Sequence, residues 1–158
     1  MDIIVRKAEV RDSERIIEML LQICEIHHSG RADLFKKNGK KYDKNELFLI
    51  LKDEKRPVFV AVDENDVAVG YAFCVINSFS GLTAVNDHVS IYIDDFCVDK
   101  DCRGRGTGKI IFDKIKDYAK QIGAYNIELN VWEFNKPAIA FYESLGMETQ
   151  RRRMEIIV

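Results

Sequence analysis

The chain has 158 residues, 47% of them hydrophobic, and its 24 basic and 26 acidic residues leave a formal net charge of −2. That is enough for one ordinary domain with a sizeable core, over residues 1–158. The charge balance excludes polyanion binding by bulk charge, and no apolar run reaches the roughly 18 residues that a bilayer span needs.

The opening "MDIIVRKAEV" has no basic region followed by an apolar stretch, so it does not read as a signal peptide. Residues 3–8 read as a first strand. Asp12 or Ser13 can cap a helix whose apolar positions Ile16, Ile17, Leu20, Leu21 and Cys24 follow the helical period. A polar connection, "HHSGRADLFKKNGKKYD", follows. Asp43 with Glu46 three residues on predicts a capping box before the short helix "LFLIL". Pro57 opens the strand "VFVAVD", "ENDV" turns the chain, and "AVGYAFCVI" returns as its antiparallel partner. After a loop containing Gly81, residues 89–98, "VSIYIDDFCV", are strongly β-prone.

Residues 102–109, "CRGRGTGK", then lead into a helix carrying Ile110, Ile111, Ile115, Tyr118, Ala119 and Ile122 and stopped at Gly123. Ile127, Leu129 and Val131 alternate as a strand. Asn135 and Pro137 start a helix with Ala138, Phe141 and Leu145 that ends at Gly146, and a final strand is expected from about Met147 to Val158. The order β-α-α-β-β-β-α-β-α-β predicts an α+β fold: a mixed sheet, mostly antiparallel, with a parallel crossover around residues 89–131. Cys24, Cys74, Cys97 and Cys102 are scattered and match no zinc spacing, so reduced thiols, a cytoplasmic location and no metal are expected.

The glycine stretch lies between a strand and a helix N-terminus, where unpaired N–H groups and the positive dipole end suit a diphosphate. Arg103 and Arg105 can add charge-assisted contacts. A Walker A loop fails at Arg103 and Ile110, and a dinucleotide fingerprint fails at Lys109. The pattern present is Arg-x-x-Gly-x-Gly, with Arg103, Gly106 and Gly108. The competing reading is a flexible turn ahead of an amphipathic helix.

This pattern resembles the acetyl-coenzyme A pyrophosphate loop of the GNAT N-acetyltransferase superfamily. "LNVWEFNKPAIAFYESLGM", residues 129–147, resembles that family's second signature, with Asn135, Phe141, Tyr142, Leu145 and Gly146, and with Met147 where Phe is usual. Thr107 stands where a branched aliphatic residue is common. The resemblance spans nearly the whole chain and is specific over residues 94–147.

It implies direct acetyl transfer from acetyl-CoA to an amine in a ternary complex. Phe96, Cys97 and Val98 would run along the pantetheine arm. Arg103, Gly104, Arg105, Gly106, Thr107, Gly108 and Lys109 would bind the pyrophosphate, with Asn135, Phe141 and Tyr142 completing the coenzyme site. Tyr142 is the implied acid for the departing thiolate; its competing reading is a core aromatic. Asp94 matches the position where some polyamine-acetylating relatives carry a Glu taken as base, which makes Asp94 the implied base here.

Two adjacent acids in an apolar strand are costly unless paired, exposed in a cleft or used. Alternation predicts that Asp94 and Asp95 point to opposite faces, and pairing with Arg103 or Lys109 is the competing reading. His27, His28, Asp33, Tyr42, Asp95 and Glu133 are candidates for the acceptor pocket. The expected acceptor is a small primary amine, a diamine or polyamine first. A protein N-terminal amine and a non-catalytic acyl-CoA-binding domain are the alternatives. "RRRME" reads as a solvated face, so neither a nucleic acid nor a membrane is an expected partner. Many relatives pair through their C-terminal strands, which makes a homodimer an expectation.

Overall fold

The structure, a computed structural model, describes residues 2–158. Its strands are β1 Ile4–Lys7, β2 Val58–Val62, β3 Ala68–Phe79, β4 His88–Val98 and β5 Asn126–Leu129; its helices are α1 Ser13–Gly30, α2 Lys44–Leu51, α3 Thr107–Gln121 and α4 Lys136–Ser144. The strands lie in chain order in one sheet, β1 to β4 antiparallel and β5 parallel to β4. This is the α+β class, with the parallel pair where the 89–131 crossover puts it.

Each face of the sheet carries a core. Ile16, Met19, Leu20, Leu47 and Ile50 of α1 and α2 meet Val58, Val60, Tyr71 and Phe73 on one face. Ile111, Phe112, Ile115 and Ala119 of α3 meet Phe59, Ala61, Ala72, Cys74, Ile91 and Ile93 on the other. The alternation Phe59/Val60/Ala61 shows the period of two dividing β2 between the cores.

The capping box of α2 forms as expected: Asp43 Oδ1 accepts from the Glu46 N–H, and Glu46 Oε2 accepts from the Asp43 N–H, both at 2.8 Å. Asp12 behaves otherwise. It occupies the N-cap position of α1, but its side chain caps nothing there. Its carboxylate instead accepts from both terminal nitrogens of Arg6, at 2.8 and 2.9 Å, and from the Glu9 N–H. The two-pronged Arg6 pair and the Glu9 N–H together take up both carboxylate oxygens.

The final strand does not form. Residues 147–158 hold no regular structure, and Met154, Ile156 and Ile157 are exposed. β5 ends the sheet with its outer edge unpaired, and this segment, mostly charged and polar over residues 148–155, adds no strand to it. Met147 packs on the α3-side core and its N–H donates to the Tyr142 carbonyl at 3.1 Å; beyond it, Gln150 Nε2 donates to Glu128 Oε2 at 3.4 Å and Glu155 forms an ion pair with Arg31.

Candidate active site

Where β3 passes β4, Phe73 pairs with Asp95 but Cys74 pairs with Ile93, so Asp94 is the extra residue of a β-bulge. The bulge exchanges the faces of β4. Ahead of it, Ile91 and Ile93 belong to the α3-side core; beyond it, Cys97 belongs to the α1-side core, while Phe96 and Val98 pack on the α3 side. Asp94 and Asp95 therefore do not point to opposite faces. Both carboxylates meet one ammonium. Lys41 Nζ lies 2.9 Å from Asp94 Oδ1 and 4.0 Å from Asp95 Oδ2, and donates to the Asp94 carbonyl at 2.7 Å. Lys41 arrives from the α1–α2 connection, two residues ahead of the Asp43 cap. Neither Arg103 nor Lys109 is the partner of these acids.

Two tyrosines complete the cluster. The Tyr42 hydroxyl donates to Asp94 Oδ2 and accepts from Arg56 Nη2 at 3.2 Å. The Tyr71 hydroxyl, buried in the core, donates to Asp95 Oδ1 at 2.9 Å. The Asp95 side chain is only 6% exposed. Burial raises its pKa from the ordinary 3.8 to about 6, with Asp94 adding to the rise and Lys41 and the Tyr71 bond opposing it. Burial, and then the charge of Asp95, also push the Tyr142 phenol above its usual range. The Cys97 thiol is pushed up to about 12 by burial, so it is no thiolate nucleophile at neutral pH.

Beside this cluster the sheet opens. β4 pairs with β5 only over Ser90–Ile93, although it continues to Val98. The loop that follows is braced from α1: Arg15 pairs with Asp99 at 2.6 Å, and Gln22 Oε1 accepts from the Lys100 N–H at 3.0 Å. Gly104 and Gly106 then take φ of +74° and +82°, and a Cβ on either would meet nothing within 4 Å. Their requirement is left-handed backbone, not space. Gly106 is the N-cap of α3, so the unpaired first-turn N–H groups lie in this loop. Gly108 answers to packing: a Cβ there would lie 2.9 Å from Phe141 Cζ of α4. Phe141 also packs against Phe96, at 5.8 Å between ring centroids, and Tyr142 meets Phe96 edge-on at 6.2 Å. The three glycines thus shape a loop, start a helix and let the tyrosine-bearing helix approach.

The Acetyltransferase (GNAT) family matches residues 20–147 of this chain. The chain belongs to that family. It is 36% identical over 101 residues to an uncharacterized N-acetyltransferase of Methanocaldococcus jannaschii, a match covering 64% of this chain and 42% of that relative. It is 24% identical over 149 residues to the thialysine N-epsilon-acetyltransferase of Sus scrofa, covering 91% of this chain and 83% of that protein. Its fold matches a crystal structure of a mutant BH1408 protein from Bacillus halodurans with a TM-score of 0.94 and 35% identity, over 98% of this chain and 99% of that one.

Against the GNAT expectations, the remaining residues divide. Phe96, Cys97 and Val98 lie on the open stretch of β4, and Arg103 Nε donates to the Val98 carbonyl at 2.9 Å, tying the glycine loop to the strand end. Arg105 is exposed. Lys109 pairs with Asp113 one turn along α3. Thr107 is 2% exposed, so its side chain is core-facing and only its backbone belongs to the loop. The Asn135 side chain accepts from the Ala138 N–H at 3.2 Å and caps α4. Tyr42 joins the bulge cluster. His28 Nδ1 instead bonds the Phe35 carbonyl at 2.7 Å, and Asp33 is held by Arg31 at 2.9 Å. Glu133 is exposed, 3.6 Å from Lys136. His27, lowered in pKa first by burial and then by Lys41, packs on Phe35 at 5.0 Å. Lys41, Tyr71 and Arg56 were not singled out from sequence. The one available signal was a Lys-Tyr pair just before a capping box, and it gives no register against β4.

Proposed function

We propose that the protein is an acetyl-CoA-dependent N-acetyltransferase that moves an acetyl group directly to a primary amine of a small molecule. The carrying observation is the bulge that sets the Asp94–Asp95 pair beside the stretch of β4 left open by β5. An alkyl amine near pKa 10.4 is only about one part in a thousand neutral at pH 7, so a proton acceptor at the amine is worth about 10²–10⁴-fold. Asp95, buried and with its pKa near 6, suits that role better than Asp94, whose oxygens are engaged by Tyr42 and Lys41. Tyr142, whose phenol holds its proton tightly, is the donor to the departing thiolate. The α3 N-terminus with Gly104, Gly106 and Arg103 takes the pyrophosphate. Phe96 to Val98 flank the pantetheine arm, with Phe141 packing beneath.

A terminal amine on a short chain, as in a diamine, polyamine or lysine analogue, is the preferred acceptor. The porcine relative's name supports this choice, as do two carboxylates able to receive cations. The four free thiols fit a reducing compartment such as the cytoplasm, and among the described residues no helix is long and apolar enough to cross a membrane. The test is thiol release from acetyl-CoA with a panel of diamines, polyamines, thialysine and peptide N-termini. Amine-dependent release, fastest with a small diamine or lysine analogue, is expected. Acetyl-CoA binding without release for any amine would overturn the reading.

A further inference from the structure

Lys41 belongs to a lysine-rich connection, yet it differs from its neighbours. Lys36, Lys37 and Lys40 are exposed, and none of them forms an ion pair among the described residues. Lys41 alone reaches the bulge. Its ammonium lies 2.9 Å from one carboxylate, 4.0 Å from the other and 2.7 Å from the backbone carbonyl between them. A primary alkylamine is therefore already held beside the buried carboxyl to which the proposed reaction assigns the proton. The side chain is 40% exposed, so it is not sealed from solvent.

We propose that Lys41 is an internal acceptor: when no external amine is bound, its ε-amine takes the acetyl group at the Asp94–Asp95 bulge. This rests on the acetyl-donor reading above. The Nζ proton passes to the Asp95 carboxylate, and the freed lone pair attacks the thioester carbonyl carbon. A C–N bond forms, the C–S bond breaks with its electron pair going to sulfur, the thiolate takes a proton from Tyr142 or solvent, and the second Nζ proton leaves the new amide nitrogen to solvent or to the Tyr142 phenolate. The products are ε-acetyl-lysine and free coenzyme A. An external amine competes by displacing the Lys41 ammonium from the carboxylates, so self-modification and turnover oppose each other. Acetylation removes the Lys41 charge and its pairing with Asp94, leaving the site short of a cation.

The experiment incubates the full chain with acetyl-CoA alone and follows acetyl increments by peptide mass spectrometry. Expected is an acetyl group on Lys41 appearing about 10-fold or more faster than on Lys36, Lys37 or Lys40, the discrimination that a positioned base supplies. It should be suppressed by an amine that the panel shows to be a substrate. It should be absent in Lys41→Arg, which keeps the cation and the fold but carries no acylable amine. An enzyme that turns over an external amine yet leaves Lys41 unmodified would overturn this inference and spare the proposed function. So would labelling of Lys41 no faster than its neighbours or than in the heat-denatured chain. If neither Lys41 nor any amine is acetylated and calorimetry detects no acetyl-CoA binding, both fail together.

Discussion

The Tyr71 hydroxyl donates to Asp95 Oδ1 at 2.9 Å from inside the α1-side core, where the tyrosine is completely buried. That bond favours the ionised carboxylate against the burial that raises its pKa. Tyr71→Phe keeps the ring and removes the donor. The pKa of Asp95 then rises further, and the acid limb of kcat/KM moves to higher pH. A hydrogen bond to a charged group is worth about 1.5–3 kcal/mol, or roughly 1 to 2 pH units. A limb that stays in place in a pH–rate profile would detach Asp95 from the rate.

Asp95→Asn separates activity from stability. Turnover at neutral pH should fall by about 10²-fold or more and recover as pH rises and the free amine becomes abundant. Stability should move the other way. A carboxyl whose folded pKa is raised from 3.8 to about 6 contributes stability that is full below the unfolded value and lost as pH rises through about 6. The variant escapes that loss, so its melting temperature should exceed the wild type's at pH 7.5, by at most about 3 kcal/mol of stability, and should not at pH 4. Asp94→Asn should cost less rate and show no such gain. Equal rate losses in the two variants would return the base assignment to Asp94.

Tyr142→Phe deletes a hydroxyl on α4 and leaves the contact with Phe96 in place. If the phenol protonates the thiolate, turnover should drop by about 10-fold or more with acetyl-CoA affinity nearly unchanged, because the lost interaction belongs to the transition state. Single-turnover rates alongside calorimetric titration decide it. An unchanged rate makes Tyr142 a packing residue.

Gly106→Val tests the loop at a position where the added Cβ meets nothing within 4 Å. The cost is that of a branched residue at φ +82°, about 1–3 kcal/mol. Acetyl-CoA affinity should fall by more than this strain accounts for, because the backbone N–H groups of the α3 N-terminus move. Arg103→Ala should weaken binding in a salt-sensitive way and loosen the tie to the Val98 carbonyl. Unaltered dissociation constants in both would remove the loop from the site.

Most of the fold was legible because its signals are local. The Asp43–Glu46 box, Pro57, Gly123 and Gly146 each act within one turn of their own helix or strand. The final strand does not form although the outer edge of β5 is free, because residues 148–155 are mostly charged and polar, a composition depleted in strands. Within the site, the glycine loop could be read as a motif, whereas the carboxylate cluster could not. Alternation along "IYIDDFCV" assumes equal residue counts in both strands, and the extra residue at Asp94 is visible only once β3 is laid beside it. Lys41 and Tyr71 are 53 and 24 residues from their acidic partners, so only tertiary structure brings them together. Asn135 and Lys109, expected at the coenzyme on family likeness, also have local roles that the sequence does not separate from it: one caps α4 and the other pairs with Asp113 on α3.

The bulge makes this region sensitive to length as well as to composition. In a regular strand, two carboxylates on one face stand two residues and about 7 Å apart along the backbone, with a residue of the other face between them. One surplus backbone unit brings consecutive residues to the same cation. Removing it would restore even pairing with β3 and leave the downstream faces as they are: Ile93 would still meet Cys74 and Asp95 still meet Phe73, with Cys97 on the α1 side and Phe96 and Val98 on the α3 side. A one-residue deletion at Asp94 should therefore leave the sheet and the glycine loop in place and disperse the cluster, because it removes the carboxylate and the carbonyl nearest the Lys41 ammonium.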